Sequence, residues 1–184
     1  MNELLEKELV IFDVETTGLS PQSGDRVIEI AAVKIKKLKV IDKFHSLVDP
    51  QREISFGAFQ VNGISQEMLE GQPLAEDVFP RFLEFAGSRP LVGYNVGFDM
   101  GFLRNELMLI EKDLPPDIVT VDVLRMARKF LPNLKRYPMW HVAQCLNIEE
   151  PQQHRALADV MMTLEIFRKL TEHSEGKNPE RSQI

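Results

Sequence analysis

The chain has 184 residues, 43% hydrophobic and 27% charged, with a formal net charge of −6. That length suits one globular domain with its own core, no apolar run reaches the length of a bilayer span, and the acidic balance excludes a broad basic nucleic-acid surface while leaving room for a local one. A single cysteine, Cys145, excludes an internal disulfide and a zinc site built on several thiolates, so the cytoplasm is the expected compartment. The first ten residues, MNELLEKELV, hold acidic charge and no apolar stretch before a small-residue cleavage site, and do not read as a secretory signal.

Along the chain, ELVIFDVE reads as a strand: short, rich in β-branched and aromatic residues, and ended by a glycine turn. RVIEIAAVKI and KVIDKFHSLV read as two more, and the short connections among the three predict an antiparallel meander. From Ala75 to Ala86, apolar residues repeat at helical spacing around Pro80, which predicts a kink or a late start. PLVGYN and DIVTVD are later strands, each followed by a helical pattern, from about Phe98 to Ile110 and from Asp122 to Phe130. This alternation predicts parallel pairing. Thr120 or Asp122 can cap the latter helix. A short helix is expected from Pro138 to Asn147, and a last one from about Arg155 to Leu170. From His173 onward there is no apolar periodicity, so residues 1–172 are expected to form the domain and 173–184 a polar, disordered tail. The fold class is α/β: a mixed sheet, three antiparallel strands then parallel ones, with helices on both faces.

VIFDVETTGL, residues 10–19, places two carboxylates at the end of an apolar run. Side chains alternate on a strand, so Asp13 and Glu15 leave one face while Phe12 and Val14 leave the other. Ionised carboxylates are costly to bury without a positive partner. No Lys or Arg lies nearby in sequence, so the partner comes from elsewhere in the fold or from outside the protein. Gly18 allows a tight turn whose free N–H groups can hold an anion. A solvated strand end is the alternative reading. In LVGYNVGFD, a strand ends in Asn95 and Asp99 sits in the first turn of the next helix, where an acid also favours the helix dipole. In QQHRALADV, His154 falls at the start of the last helix and Asp159 one turn in. His45, His141 and His173 have no comparable acidic neighbourhood.

In this order the three segments resemble the DEDDh branch of 3′→5′ exonucleases. DVETTGL, YNVGFD and HRALAD are similar to its three motifs, in particular those of the proofreading epsilon subunit of bacterial DNA polymerase III and of the PolC exonuclease domain. RVIEIAAVKI, VNGIS and DVLRMARKF also lie where the family has similar segments, and the resemblance runs from about Leu9 to Leu170. It implies a ribonuclease-H-like fold and identifies the missing positive charge as metal. Asp13, Glu15 and Asp159 would be ligands, Asp13 bridging two ions, with Asp99 holding the second partly through water. Oxygen ligation suits Mg²⁺ or Mn²⁺. His154 would be the general base that takes a proton from the attacking water, and the product a nucleoside 5′-monophosphate released from the 3′ end of single-stranded DNA.

By the same resemblance, Thr17, Gly18, Leu19, Val61, Asn62, Asn95 and Phe98 would hold the terminal nucleotides. Two positions depart from the family pattern: Asn62, where many members have His, and Tyr94, where a His commonly precedes Asn. KIKKLK, residues 34–39, is the one clustered basic run, and a solvated hairpin is its simplest reading. Binding of single-stranded ends is therefore expected to be weak, with a polymerase subunit as a tether. An RNA 3′→5′ exonuclease of ribonuclease T or oligoribonuclease type is the alternative, although ETTG rather than EMTG favours DNA. A non-catalytic nucleic-acid-binding module would be expected to lack one of Asp13, Glu15, Asp99, His154 or Asp159, and all five are present. Two carboxylates about 4 Å apart repel by roughly 4 kcal/mol at an effective dielectric of about 20, so this cluster should weaken the metal-free fold.

Overall fold

The apolar alternation of the first strand dictates what lies on each side of the sheet. In the computed structural model, which describes residues 5–149, 152 and 154–176, β1 (Glu8–Thr16) is the central strand of five. β2 (Val27–Lys36) and β3 (Lys39–Leu47) follow as an antiparallel meander, and β4 (Leu91–Gly93) and β5 (Thr120–Asp122) join the other side in parallel, giving the order β3-β2-β1-β4-β5. This is the expected mixed sheet.

The helices are α1 (Phe56–Asn62), α2 (Gln66–Leu69), α3 (Ala75–Ala86), α4 (Val96–Leu109), α5 (Val123–Phe130), α6 (Met139–Cys145) and α7 (Ala156–Gly176). Leu9 and Ile11 of β1, with Ala31, Val33 and Ile35 of β2, bury against α5, α6 and α7. Val10, Phe12 and Val14, with Ile30 and Ala32, bury against α3 and α4 on the other face. Asp13 and Glu15 continue the Leu9–Ile11 row and so emerge on the α7 face.

Three helix boundaries differ from the sequence reading, and the late start allowed for at Pro80 is not seen. α4 begins at Val96 rather than Phe98. Pro80 lies inside α3, which starts at Ala75 without delay. α6 ends at Cys145, short of Asn147, which adopts a left-handed φ of 56°. α7 runs past Leu170 to Gly176, so the first residues assigned to a tail are helical, while residues 177–184 lie outside the described residues. The short helices α1 and α2 carry no apolar periodicity. Ser55 caps α1, its side chain accepting from the Ala58 N–H at 3.1 Å. Among the described residues, no helix is long and apolar enough to cross a membrane.

Candidate active site and metal centre

Two helices from opposite faces deliver acids to the carboxyl end of β1. Asp13 and Glu15 come from the strand itself and Asp159 from the first turn of α7. Each of the three offers an oxygen lying within 4.8 Å of the others. Asp159 is buried, and its Oδ2 accepts a 2.9 Å bond from the Gln152 amide. All the donors are carboxylate oxygens, the set that suits a hard divalent cation.

Asp99 arrives from α4, on the opposite face. It is 3% exposed, and its Oδ1 accepts the Val14 N–H at 3.2 Å. It therefore grips the β1 backbone between the two strand acids, outside the group of three. His154 is exposed on the rim, in a left-handed conformation at φ 49°. Its Nδ1 lies 3.5 Å from the amide nitrogen of Gln152, the residue that also bonds Asp159.

The electrostatics follow from burial and crowding. Desolvation, then the charges of Asp99, Glu15, Asp159 and Glu29, push Asp13 well above the ordinary carboxylate range. Burial and the charges of Asp159, Glu29 and Asp99 push Glu15 up to about 8, with Arg155 opposing them. Burial also raises Asp99 to about 8, against the hydrogen bonds it accepts from the Val14 and its own N–H groups.

Beside them opens a cleft of about 630 Å³, lined by Glu15, Gly18, Leu19, Val61, Asn62 and Phe98 among others. Leu19 is 85% exposed and Val61 57%, so two aliphatic side chains stand free at its lip. Asn62 is buried; its amide donates to the Thr16 carbonyl at 3.4 Å and its Oδ1 accepts from the Ile64 N–H at 3.0 Å, latching α1 to the end of β1. Phe98 packs against Phe102 with ring centroids 5.0 Å apart and planes tilted by 52°.

Thr17 and Asn95 are not among the residues lining this cleft. Thr17 is fully buried, with its N–H bonded to the Arg26 carbonyl and its hydroxyl accepting the Arg26 N–H at 3.0 Å. Asn95 is exposed in a left-handed turn, its N–H donated to Asp122 Oδ1 at 3.1 Å, and it does not line the cleft. Gly18 is required by a close approach rather than by a positive φ, because a Cβ there would lie 2.3 Å from Oδ2 of Asp25. Asp25 cannot retreat cheaply, since it accepts the Ser20 N–H at 3.0 Å and pairs with Arg52 at 3.4 Å.

A family model for exonucleases of the RNase T type matches residues 10–167. The chain belongs to this exonuclease family. It is 39% identical over 166 residues to the PolC-type DNA polymerase III of Clostridium perfringens, covering 90% of this chain and 11% of that protein. It is 37% identical over 180 residues to the Bacillus subtilis PolC-type enzyme, covering 96% and 12%. The chain thus spans about a tenth of the length of these relatives. Among solved structures, exonuclease X in complex with 5′-overhanging duplex DNA superposes with a TM-score of 0.72 at 26% identity, covering 91% of this chain and 93% of that one. The zinc-bound complex of Escherichia coli exonuclease I with single-stranded DNA gives 0.80 at 22%, covering 94% and 42%, a likeness of fold.

Within this exonuclease fold the structure adds residues that the motifs did not single out. Glu29 of β2 is the direct cross-strand neighbour of Glu15 and is 1% exposed. Arg155 donates to it twice, at 3.0 and 2.8 Å, and the Ala156 N–H donates at 3.0 Å. His45 Nε2 lies 2.7 Å from the same carboxylate, so His45 does have an acidic neighbour, supplied by sheet register rather than by sequence proximity. Burial pushes Glu29 up, but the hydrogen bonds from Arg155, His45 and Ala156 outweigh it and hold the carboxyl below its ordinary value. The positive partner sought for the strand acids is therefore partly internal. The signal in the sequence was RVIEI itself, an acid in a strand otherwise buried on both faces.

Proposed function

We propose that this domain is a 3′→5′ exonuclease that hydrolyses single-stranded DNA, using two Mg²⁺ or Mn²⁺ ions held by Asp13, Glu15, Asp99 and Asp159. The observation that carries this reading is the convergence of Asp13, Glu15 and Asp159 within 4.8 Å at the edge of a cleft bordered by exposed apolar side chains. Two cations bound there would supply charge neutralisation and in-line alignment of the attacking and leaving oxygens.

His154 takes the proton of the attacking water as its oxygen bonds to phosphorus. The bond from phosphorus to the 3′ oxygen of the preceding nucleotide breaks, and that oxygen takes a proton from solvent water, leaving a 3′-hydroxyl on the shortened strand and a free nucleoside 5′-monophosphate. A rim position with solvent access suits a base that must pass its proton on. Leu19, Val61 and Phe98 flank the terminal base, and the Gly18 backbone faces its sugar and phosphate. Its likeness to one segment of PolC-type polymerases supports a proofreading role beside a polymerase, with the partner supplying the persistence that an acidic chain lacks.

Cleavage of end-labelled DNA and RNA of equal sequence, with Mg²⁺, Mn²⁺ or chelator, tests the reading. Mononucleotide release from the 3′ end of DNA, abolished by chelator and reduced about 10²- to 10⁴-fold in His154→Ala, is expected. Equal or faster release from RNA would reassign the substrate, and chelator-resistant cleavage would overturn the metal mechanism.

A further inference from the structure

The net negative charge of the chain conceals one region of the opposite sign. Residues 123–148 hold five of the 22 basic residues (Arg125, Arg128, Lys129, Lys135 and Arg136) and none of the 28 acidic ones. All five are exposed, and among the described residues none pairs with a carboxylate. Three of the four lysines of the KIKKLK run are instead paired: Lys34 with Asp42 at 3.4 Å, Lys36 with Glu8 at 3.6 Å and Lys37 with Glu6 at 3.1 Å. The five cations of the 123–148 segment are therefore open to an external anion, with no acidic residue among them in the sequence.

Aromatic rings are interleaved with these cations. Arg136 lies over Trp140 at 5.1 Å from the ring centroid, Arg128 over Tyr137 at 6.0 Å and Lys129 over Phe130 at 5.5 Å. Trp140 is 42% exposed, an unusual exposure for the one tryptophan of the chain. Exposed rings beside guanidinium groups offer bases a stacking platform while the cations meet phosphates.

The segment is also tied to the catalytic edge. The Tyr94 hydroxyl donates to the Tyr137 carbonyl at 2.6 Å. Tyr94 directly follows β4, which pairs in parallel with β1 (Ile11 opposite Val92), at the carboxyl end of these strands. Met139 Sδ lies 4.0 Å from the Thr163 hydroxyl, one turn along α7 from Asp159. Met139, the sequence neighbour of Trp140, thus packs on α7 one turn from Asp159.

We propose that the Arg125–Trp140 surface carries the single strand 5′ of the nucleotides in the active site, with phosphates on Lys135 and Arg136 and a base on Trp140. This rests on the exonuclease reading above and extends it from the terminal nucleotides to the strand behind them.

Trp140 is its own probe. In chelator, where cleavage is not expected, titration of the full chain with (dT)₁₆ should quench its fluorescence. The Lys135→Ala/Arg136→Ala double variant should bind at least tenfold more weakly, and its log K against log salt should be shallower by about 1.4 for two lost phosphate contacts on a single strand. Lys36→Ala/Lys37→Ala should bind within twofold of the parent protein. These are exposed side chains, and an unchanged melting temperature verifies the fold of each variant. Absence of quenching at saturating (dT)₁₆, or a Lys135→Ala/Arg136→Ala variant that binds like the parent, overturns the proposal. Failure of the exonuclease reading is seen separately, as absence of mononucleotide release by the parent protein with Mn²⁺.

Discussion

Arg155 clamps Glu29 with two hydrogen bonds, 3.0 and 2.8 Å, across 126 residues of sequence. One residue further on, α7 begins, and its first turn carries Asp159. Glu29 in turn sits opposite Glu15 in the β1–β2 ladder, where like charges face to face are destabilising unless something lies between them. The clamp thus does two things: it fixes the height and entry of α7 over the sheet, and it screens one carboxylate from another.

Removing the guanidinium leaves Glu29 buried without its main partner. Arg155→Ala is expected to lose about 3 kcal/mol of stability, which for a domain of this size lowers the melting temperature by roughly 6–12 °C. Because Arg155 would act through Asp159 and Glu15 rather than on substrate, the half-saturating Mn²⁺ concentration for activity should rise about 10- to 100-fold. Arg155→Lys should recover only part of this, since an ammonium cannot reproduce the two parallel bonds. Mn²⁺ titration of activity together with thermal scans tests it, and an unshifted metal requirement would reduce the clamp to a purely structural role.

Crowded acids predict a metal-free fold under strain. Asp13→Asn is expected to raise the melting temperature in chelator while abolishing cleavage, because it removes one charge from the cluster and with it a ligand. Mg²⁺ or Mn²⁺ at about 100 times its dissociation constant should stabilise the parent protein by about 2.7 kcal/mol, and should stabilise Asp13→Asn far less. Scanning calorimetry with and without chelator separates these outcomes. No metal-dependent shift at millimolar ion would remove the basis for the site.

The pH dependence without metal has a definite sign. Asp13, Glu15 and Asp99 are raised in the fold, the latter two to about 8. Their contribution is fully present below the unfolded-state carboxylate value and is lost as pH rises towards about 8. Glu29 is lowered, so its contribution is present above that value and is lost as pH falls through its folded value. In chelator, stability should therefore decline from weakly acidic pH to pH 8. Added metal should restore most at the alkaline end, where the ligands are already deprotonated. Denaturant titrations from pH 5 to 9 measure this, and a flat profile in chelator would contradict the burial of the cluster.

Much of this was legible in the sequence because it depends on local period and local chemistry. The alternation in ELVIFDVE placed Asp13 and Glu15 on one face, and the resemblance of three short motifs brought in Asp99, His154 and Asp159. Asp122, proposed as a cap, does accept the Leu124 and Arg125 N–H groups. The helices α1 and α2 were not legible, since pieces of one or two turns, α1 held by a Ser cap and an Asn latch, carry no period.

Sequence alone determined the residue types, their alternation and hence the chemistry on offer: acids on a strand face, an acid in each of two helices, a histidine near the last. Only the tertiary structure decided which of them meet. Sheet register set Glu29 opposite Glu15 and brought His45 to it, α7 packing brought Arg155 and Asp159 over the strand, and the Tyr94–Tyr137 bond carried a basic surface to the catalytic edge. The physical reason is that a strand or helix fixes only its own few neighbours, whereas long-range charge pairs exist only once both chain segments are fixed by the burial of their apolar sides.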